Sequence, residues 1–324
     1  MPVNAGTTNS DLERRLVWIL GSPRSGSTWL LRLLAYPWEV EATPAGLARS
    51  RFRPGQTANI VAINESYLPQ HLAPLRDPLP EPGNGPRSGP TLNDLRAGHP
   101  AYFFDADYAE EWREPLRALV LGRLGAQVHR AEGEHGLLNP PVVVKEPNGS
   151  HAADLLAKLL PASRIIFLLR DGRDVIDSMI AADSPGGWRT RQEGVATLRT
   201  SEQRLGAIRR EARLWLVRTE ATERACEVLG AEGSTLVRYE ELLADTGAQL
   251  RRLDEWVGVG RGELTIRAAI HANRFNSLRN RIRGAGKGVR AASPGLWREN
   301  LSDAEQQLMN ELLGAKLRAL SYRL

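Results

Sequence analysis

The stretch Leu16-Val17-Trp18-Ile19-Leu20-Gly21-Ser22-Pro23-Arg24-Ser25-Gly26-Ser27-Thr28 sets how the rest of the chain is read. Its first five residues are an unbroken apolar run stopped by Gly21, the pattern of a strand buried on both faces. Trp29 to Leu34 continues as the first turns of a helix, so the unit is strand, glycine-rich turn, helix. Residues 21–28 nearly match the phosphate-binding pattern GxxxxGK[ST], with Ser27 in place of the lysine and the cation earlier, at Arg24. The physics of a cradle survives the exchange. Gly21 and Gly26 let the backbone curl so that N–H groups face inward, and the helix N-terminus adds its positive end. Ser25, Ser27 and Thr28 carry hydroxyl donors, and Arg24 offers a two-pronged fork to phosphate or sulfonate oxygens. The motif by itself specifies an anion. The missing lysine argues against a kinase or NTPase, in which that lysine reaches the outer phosphates and the adjacent Ser or Thr holds magnesium.

Working outward, Val142 to Val144 (followed by Lys145), Arg164 to Leu169 and Thr235 to Val237 (just before Tyr239) read as further strands. His151 to Leu160 and Asp171 to Ala182 read as helices between them, and Tyr108–Arg130, Ser201–Leu229 and Ser302–Leu320 as longer amphipathic ones. Strands alternating with helices predict an α/β fold: a P-loop-like central parallel sheet flanked by helices on both faces, one domain with helical insertions. The domain is expected over residues 16–324, after a flexible polar segment at 1–15. Residues 49–65, 78–100, 183–194 and 276–295 read as loops.

The chain has 324 residues, 42% hydrophobic and 25% charged, enough for a sizeable core. A formal charge of +5 suits an anionic ligand but is too dispersed to argue for nucleic acid. The single cysteine, Cys226, rules out an internal disulfide framework and a cysteine-based zinc site, and its helical setting predicts a buried structural thiol. No metal-ligand cluster is apparent. The first residues lack an apolar signal core and no apolar run approaches membrane-spanning length, so a cytoplasmic protein without a transmembrane segment is expected.

A second anion grip, well away from the first loop, is suggested at the end of the strand RIIFLL. Arg170 stands at the carboxyl end of that strand, where open α/β sheets bind ligands. Ser178 follows eight positions later, about two helical turns on. The intervening Arg173 and Asp174 read as solvated turn residues.

With these pieces in place, the chain resembles the family of sulfotransferases that use 3′-phosphoadenosine 5′-phosphosulfate (PAPS), closest in flavour to the tyrosylprotein and carbohydrate type and to bacterial members. PRSGST (23–28) resembles the family's 5′-phosphosulfate loop in its arginine-bearing version. RDGRDVIDSMI (170–180) resembles the 3′-phosphate segment, in which an Arg and a Ser eight residues later hold the phosphate. VRYEEL (237–242) resembles a segment whose tyrosine, here Tyr239, lies by the nucleotide. GKGVRAASPGLWRENLS (286–302) resembles the late loop over the 3′-phosphate. That loop reads Arg-Lys-Gly in many members and Gly286-Lys287-Gly288 here, which makes Lys287 and Gly288 the expected contacts, with Arg283 and Arg290 as helpers. The resemblance implies PAPS as donor, no metal, and an acceptor bearing a hydroxyl: a small molecule, lipid or glycan.

It also implies catalytic candidates. Arg24 and Lys145 would stabilise charge on the leaving phosphate oxygen; Lys145, ahead of Glu146-Pro147, resembles a lysine of the tyrosylprotein type. For the general base the order is Glu65, then His151, then Glu146, with His71 a further option; Glu65 lies in a segment comparable to the one bearing the tyrosylprotein type's glutamate. Trp188 is placed to face the acceptor, Trp297 matches a late-loop tryptophan, and Trp29, Trp112, Trp215 and Trp256 read as core. Two other functions compete: a degenerate P-loop kinase or NTPase, and a non-catalytic nucleotide- or polyanion-binding protein.

Overall fold

The computed structural model describes residues 9–36, 39–42, 48–51, 60–66, 68, 106–133, 139–191, 197–274 and 293–324. The strands are β1 (Leu16–Leu20), β2 (Glu39–Ala42), β3 (Ala48–Arg51), β4 (Val61–Asn64), β5 (Val142–Lys145), β6 (Arg164–Leu169) and β7 (Ser234–Arg238). The helices are α1 (Asn9–Arg15), α2 (Ser27–Ala35), α3 (Ala109–Gly133), α4 (Ala153–Leu159), α5 (Gly172–Asp183), α6 (Ser201–Gly233), α7 (Tyr239–Ala244), α8 (Thr246–Val257), α9 (Glu263–Ala272), α10 (Trp297–Asn300) and α11 (Asp303–Ala319). A 3-10 segment, Pro147–Ala152, links β5 to α4.

Five strands form one parallel sheet in the order β4-β5-β1-β6-β7. This is the expected doubly covered α/β architecture. Alternate residues of each strand feed different layers, as the two-residue strand period requires. Leu16, Trp18, Val61, Ile63, Val142 and Val144 pack on one face with α3 and α4. Val17, Ile19, Val143, Ile166, Leu168 and Val237 pack on the other with Leu30, Leu31, Leu33 and Leu34 of α2 and with α8 and α9. Phe167 and Leu169 join α5, α6 and α11 in a third cluster. Each fully buried Leu, Ile or Val contributes roughly 1.5–3 kcal/mol, so the frame under the turns is well supported. The far end of α2 is fastened by Arg261, which is ion-paired with Asp254 and donates to the Leu33 carbonyl at 2.7 Å.

Three expectations need correction. Residues 9–15 are helical, with Leu12 and Glu13 buried, rather than part of a flexible leader. Residues 49–65 are not wholly loop: β3 pairs antiparallel with β2, and β4 forms an edge of the main sheet. Each of these strands is four residues long, too short for a periodic signal. Arg173 and Asp174 are buried, at 1% and 3% exposure, rather than solvated. The helical backbone of α6 breaks at Gly230 (φ 69°), close to the expected end at Leu229. Cys226 is a half-buried free thiol whose pKa is raised by burial. Residues 71, 78–100 and 276–292, with His71, Arg283, Lys287, Gly288 and Arg290, lie outside the described residues.

Candidate functional site

The site follows from strand parity. Ile19, Val143, Leu168 and Val237 all lie in the core layer that contains α2. Two residues after each of them stand Gly21, Lys145, Arg170 and Tyr239. Alternation therefore brings all four to the same face at the carboxyl edge of neighbouring strands, where α2 presents its N-terminus. On β4, Asn64 takes the equivalent position, in register with Lys145.

The Gly21–Thr28 turn is built for close approach. At Gly21 (φ 139°) a Cβ would sit 2.1 Å from the Leu168 carbonyl oxygen, and at Gly26 (φ 94°) it would sit 2.7 Å from the Tyr239 ring. Gly21 N–H donates to Ser150 Oγ at 2.8 Å, which braces the turn on the 3-10 segment. Ser25 is buried and donates to the Ser22 carbonyl at 2.6 Å, so its hydroxyl shapes the turn. Gly26 caps α2 without a side-chain acceptor, which leaves the first N–H groups of the helix to a ligand. Ser27 is buried at that helix start, whereas Thr28 is exposed.

The second expected grip is not well away from the first loop, as the sequence suggested, but is bonded to it. Arg24 Nε donates to Ser178 Oγ at 2.9 Å, and Arg170 Nη1 donates to the Arg24 carbonyl at 2.9 Å. The Arg170 guanidinium lies 4.4 Å from the centre of the Tyr239 ring, and that of Arg24 lies 5.8 Å from the centre of the Trp188 ring. Tyr239 is buried, and burial raises its hydroxyl pKa. Trp29 leans edge-on against Tyr239 and donates to the Asn273 carbonyl at 3.0 Å.

Across β1, Lys145 Nζ donates to Glu65 Oε1 at 2.5 Å. The Lys145 side chain is 4% exposed and that of Glu65 18%. The other base candidates are more enclosed. His151 is fully buried with Nδ1 3.2 Å from the Asn148 carbonyl, and Glu146 is fully buried and accepts from Ser66 Oγ at 2.8 Å. Positive φ marks four non-glycine residues among those described, and two of them are Arg24 (73°) and Glu65 (56°). Left-handed backbone in such residues is costly and gathers at functional sites.

Several buried polar atoms here have no hydrogen-bond partner among the described residues: Ser22 Oγ, Arg170 Nε, Trp188 Nε1 and Asn64 Oδ1. Three of them are donors: Ser22 within the turn, and Arg170 and Trp188, each of which touches Arg24 of that turn. Ser22, Ser150 and Asn64 were not singled out from sequence. Ser22 lay within the quoted turn, but the roles of Ser150 and Asn64 depend on register and on packing. Trp297 is buried core with Arg173 and Arg298 stacked on it, at 4.3 and 4.2 Å from its ring centre. Trp215 is core, and Trp112 and Trp256 pack against core from its margin.

Residues 17–261 match the model of the sulfotransferase family. The chain belongs to that family. No curated protein matches it. Among solved structures, this sulfotransferase is similar in fold to mouse sulfotransferase SULT7A1 complexed with PAP, with TM-score 0.51, 11% identity, and coverage of 97% of this chain and 87% of that one. It is likewise similar to a retinol dehydratase in a complex with retinol and PAP, with TM-score 0.51, 15% identity, and coverage of 96% and 83%. Among the described residues of this sulfotransferase, no helix is long and apolar enough to cross a membrane, and no group of three or more His, Cys, Asp or Glu is placed to hold a metal ion.

Proposed function

We propose that this sulfotransferase moves a sulfuryl group from PAPS to an acceptor hydroxyl of a small molecule, lipid or glycan, by in-line transfer with Glu65 as general base, in the cytoplasm. One observation carries the reading: the Lys145–Glu65 pair and the Arg24–Ser178–Arg170 network both stand at the carboxyl end of the one parallel sheet, on either side of the cradle strand β1. PAP in the two similar folds supports it. The donor supplies an activated sulfuryl group on a phosphosulfate bond.

The residues divide the work. The turn's N–H groups, with Ser22, Ser27 and Thr28, hold the phosphosulfate end. Arg170 and Ser178 hold the 3′-phosphate, and Tyr239 lies by the nucleotide; Lys287 and Gly288 add contacts from the late loop. Lys145 and Arg24 stabilise negative charge on the oxygen that the sulfuryl group leaves. Glu65 takes the proton from the acceptor hydroxyl. Its side chain reaches solvent, whereas His151 and Glu146 are enclosed, which favours Glu65 over both. Lys145 holds the Glu65 carboxylate in place between turnovers.

The test is incubation of the full chain with sulfur-labelled PAPS and a panel of hydroxyl acceptors. Label is expected on an acceptor without added magnesium, with inhibition by PAP. Magnesium-dependent ATP turnover would support the kinase reading instead, and PAPS binding without transfer to any acceptor would support the binding-protein reading. Normal PAP binding by both Arg24→Ala and Arg170→Ala would refute the site.

A further inference from the structure

One buried carboxylate at this site has no role in the chemistry above. Asp174 lies on α5 one turn before Ser178 and is 3% exposed. Both of its oxygens accept from a single backbone N–H, that of Gly295, at 2.9 Å. Among the described residues, the charged groups around it are few. Arg170 stabilises its charge, and Asp171 and Glu240 oppose it. Those two carboxylates have strong partners of their own. Asp171 is ion-paired with Arg173 at 2.8 Å, and Glu240 accepts from the Asp171 N–H at 3.0 Å and from the Tyr322 hydroxyl at 3.2 Å. The Tyr239 hydroxyl also feels the Asp174 charge. Arg298 of α10 borders Gly295, with Nη1 3.1 Å from where a Cβ would stand on that glycine. Trp215 of α6 and Leu313 of α11, which close on the start of α5 at Gly172, carry no charge.

We propose that Asp174 is the proton partner of the phosphate grip: when a phosphate settles on Arg170 and Ser178, Asp174 takes up a proton from solvent, so that nucleotide binding and protonation are coupled. The inference rests on the nucleotide reading above. A phosphate on Arg170 has two effects of the same sign. It engages the cation that stabilises Asp174, and it adds negative charge about one turn away in a poorly solvated site. Both raise the proton affinity of the carboxyl. Burial has already pushed the Asp174 pKa up to about 6, so a further rise carries it into the neutral range. The Gly295 N–H does not prevent this, because a protonated carboxyl still accepts through its carbonyl oxygen.

The experiment is calorimetric titration of PAP into the full chain at pH 6.5–7, in buffers of different ionisation enthalpy, with wild type and Asp174→Asn. Asparagine keeps an acceptor for Gly295 and cannot titrate. Net proton uptake is expected in wild type and its loss in Asp174→Asn. A rise of about one unit on binding tightens wild-type affinity, relative to the variant, about fivefold between pH 8 and pH 6. The same titration of wild type with adenosine 5′-monophosphate, which lacks the 3′-phosphate, needs no variant and should show no uptake. Phosphate binding to a cation by itself releases protons, so the sign separates protein from ligand. Equal uptake in wild type and variant, or uptake with both nucleotides, overturns the proposal. Failure of PAP to bind wild type overturns the nucleotide reading on which it rests, and the proposal with it.

Discussion

The two ends of the site are built differently. On the side of β6 and α5, Arg170 is tied to the Arg24 carbonyl, Arg24 to Ser178, and the Arg170 guanidinium to the Tyr239 ring, so each side chain is held by a second group before any ligand arrives. On the side of β4 and β5, the Glu65 N–H donates to the Lys145 carbonyl at 2.8 Å, and among the described residues the two side chains have one hydrogen bond, to each other, at the end of an edge strand. The first end is cross-braced and shares its load. The second is a single pair, one member of which sits in left-handed backbone. A braced end suits binding, where losses are graded. A lone pair suits chemistry, where removal of either member is severe.

The sharpest way to break this contrast is Lys145→Ala. It removes a buried cation from the reacting end and leaves Glu65 without its partner. Turnover of labelled PAPS on its best acceptor should fall about 10³-fold, while the dissociation constant of PAPS, in which the leaving oxygen still bridges and carries no developed charge, stays within about threefold. An equal loss in binding and turnover would mean that Lys145 belongs to the binding end. Glu65→Gln comes next, with an expected fall of about 10²-fold in kcat and little change in PAP affinity, as for the loss of a general base in an otherwise intact site. Unchanged kcat would return the role of base to His151 or Glu146.

The same contrast explains what could be read from the chain before folding. Gly21–Thr28, and Arg170 with Ser178, are local patterns: a strand, a turn and a helix written in consecutive residues. Lys145 followed a recognisable strand. Glu65 came from a resemblance, because what brings it to Lys145 is the pairing of Asn64 with Lys145, a register that no local pattern encodes. Asp174 was misread for a related reason. RDGRD looks like a solvated turn until α10 and the residues before it close over it, with Gly295 on Asp174, Asn300 on Asp177 and Trp297 on Arg173. Burial conferred by a distant segment leaves no trace in the local charge pattern.

At the braced end, Arg170→Ala removes the lock on the Arg24 carbonyl and, on the proposed reading, the charge-assisted hydrogen bonds to the 3′-phosphate. PAP affinity should fall about 50-fold, from roughly 2–3 kcal/mol for hydrogen bonds to a charged group. Ser178→Ala should cost about fivefold, near the 1 kcal/mol of one neutral hydrogen bond, because Arg24 retains its other contacts. Calorimetry on the two variants checks the ratio. A Ser178→Ala loss as large as that of Arg170→Ala would show that the network acts as one unit.

The smallest effect concerns stability without ligand. Burial, the dominant cause, raises the Asp174 pKa from 3.8 to about 6. A carboxyl whose folded pKa lies above its unfolded value contributes stability that is fully present below about pH 4 and lost as pH rises through about 6, because ionisation then favours the unfolded chain. Allowing for screening, the loss by pH 7.5 is on the order of 1–2 kcal/mol. Asp174→Asn escapes this loss and keeps an acceptor for Gly295. Its melting temperature should exceed that of wild type by about 2–4 °C at pH 7.5, with the difference vanishing near pH 4. A variant less stable than wild type at pH 7.5 would mean that the ionised carboxylate is needed to hold Gly295, which would make Asp174 part of the bracing rather than a strain within it.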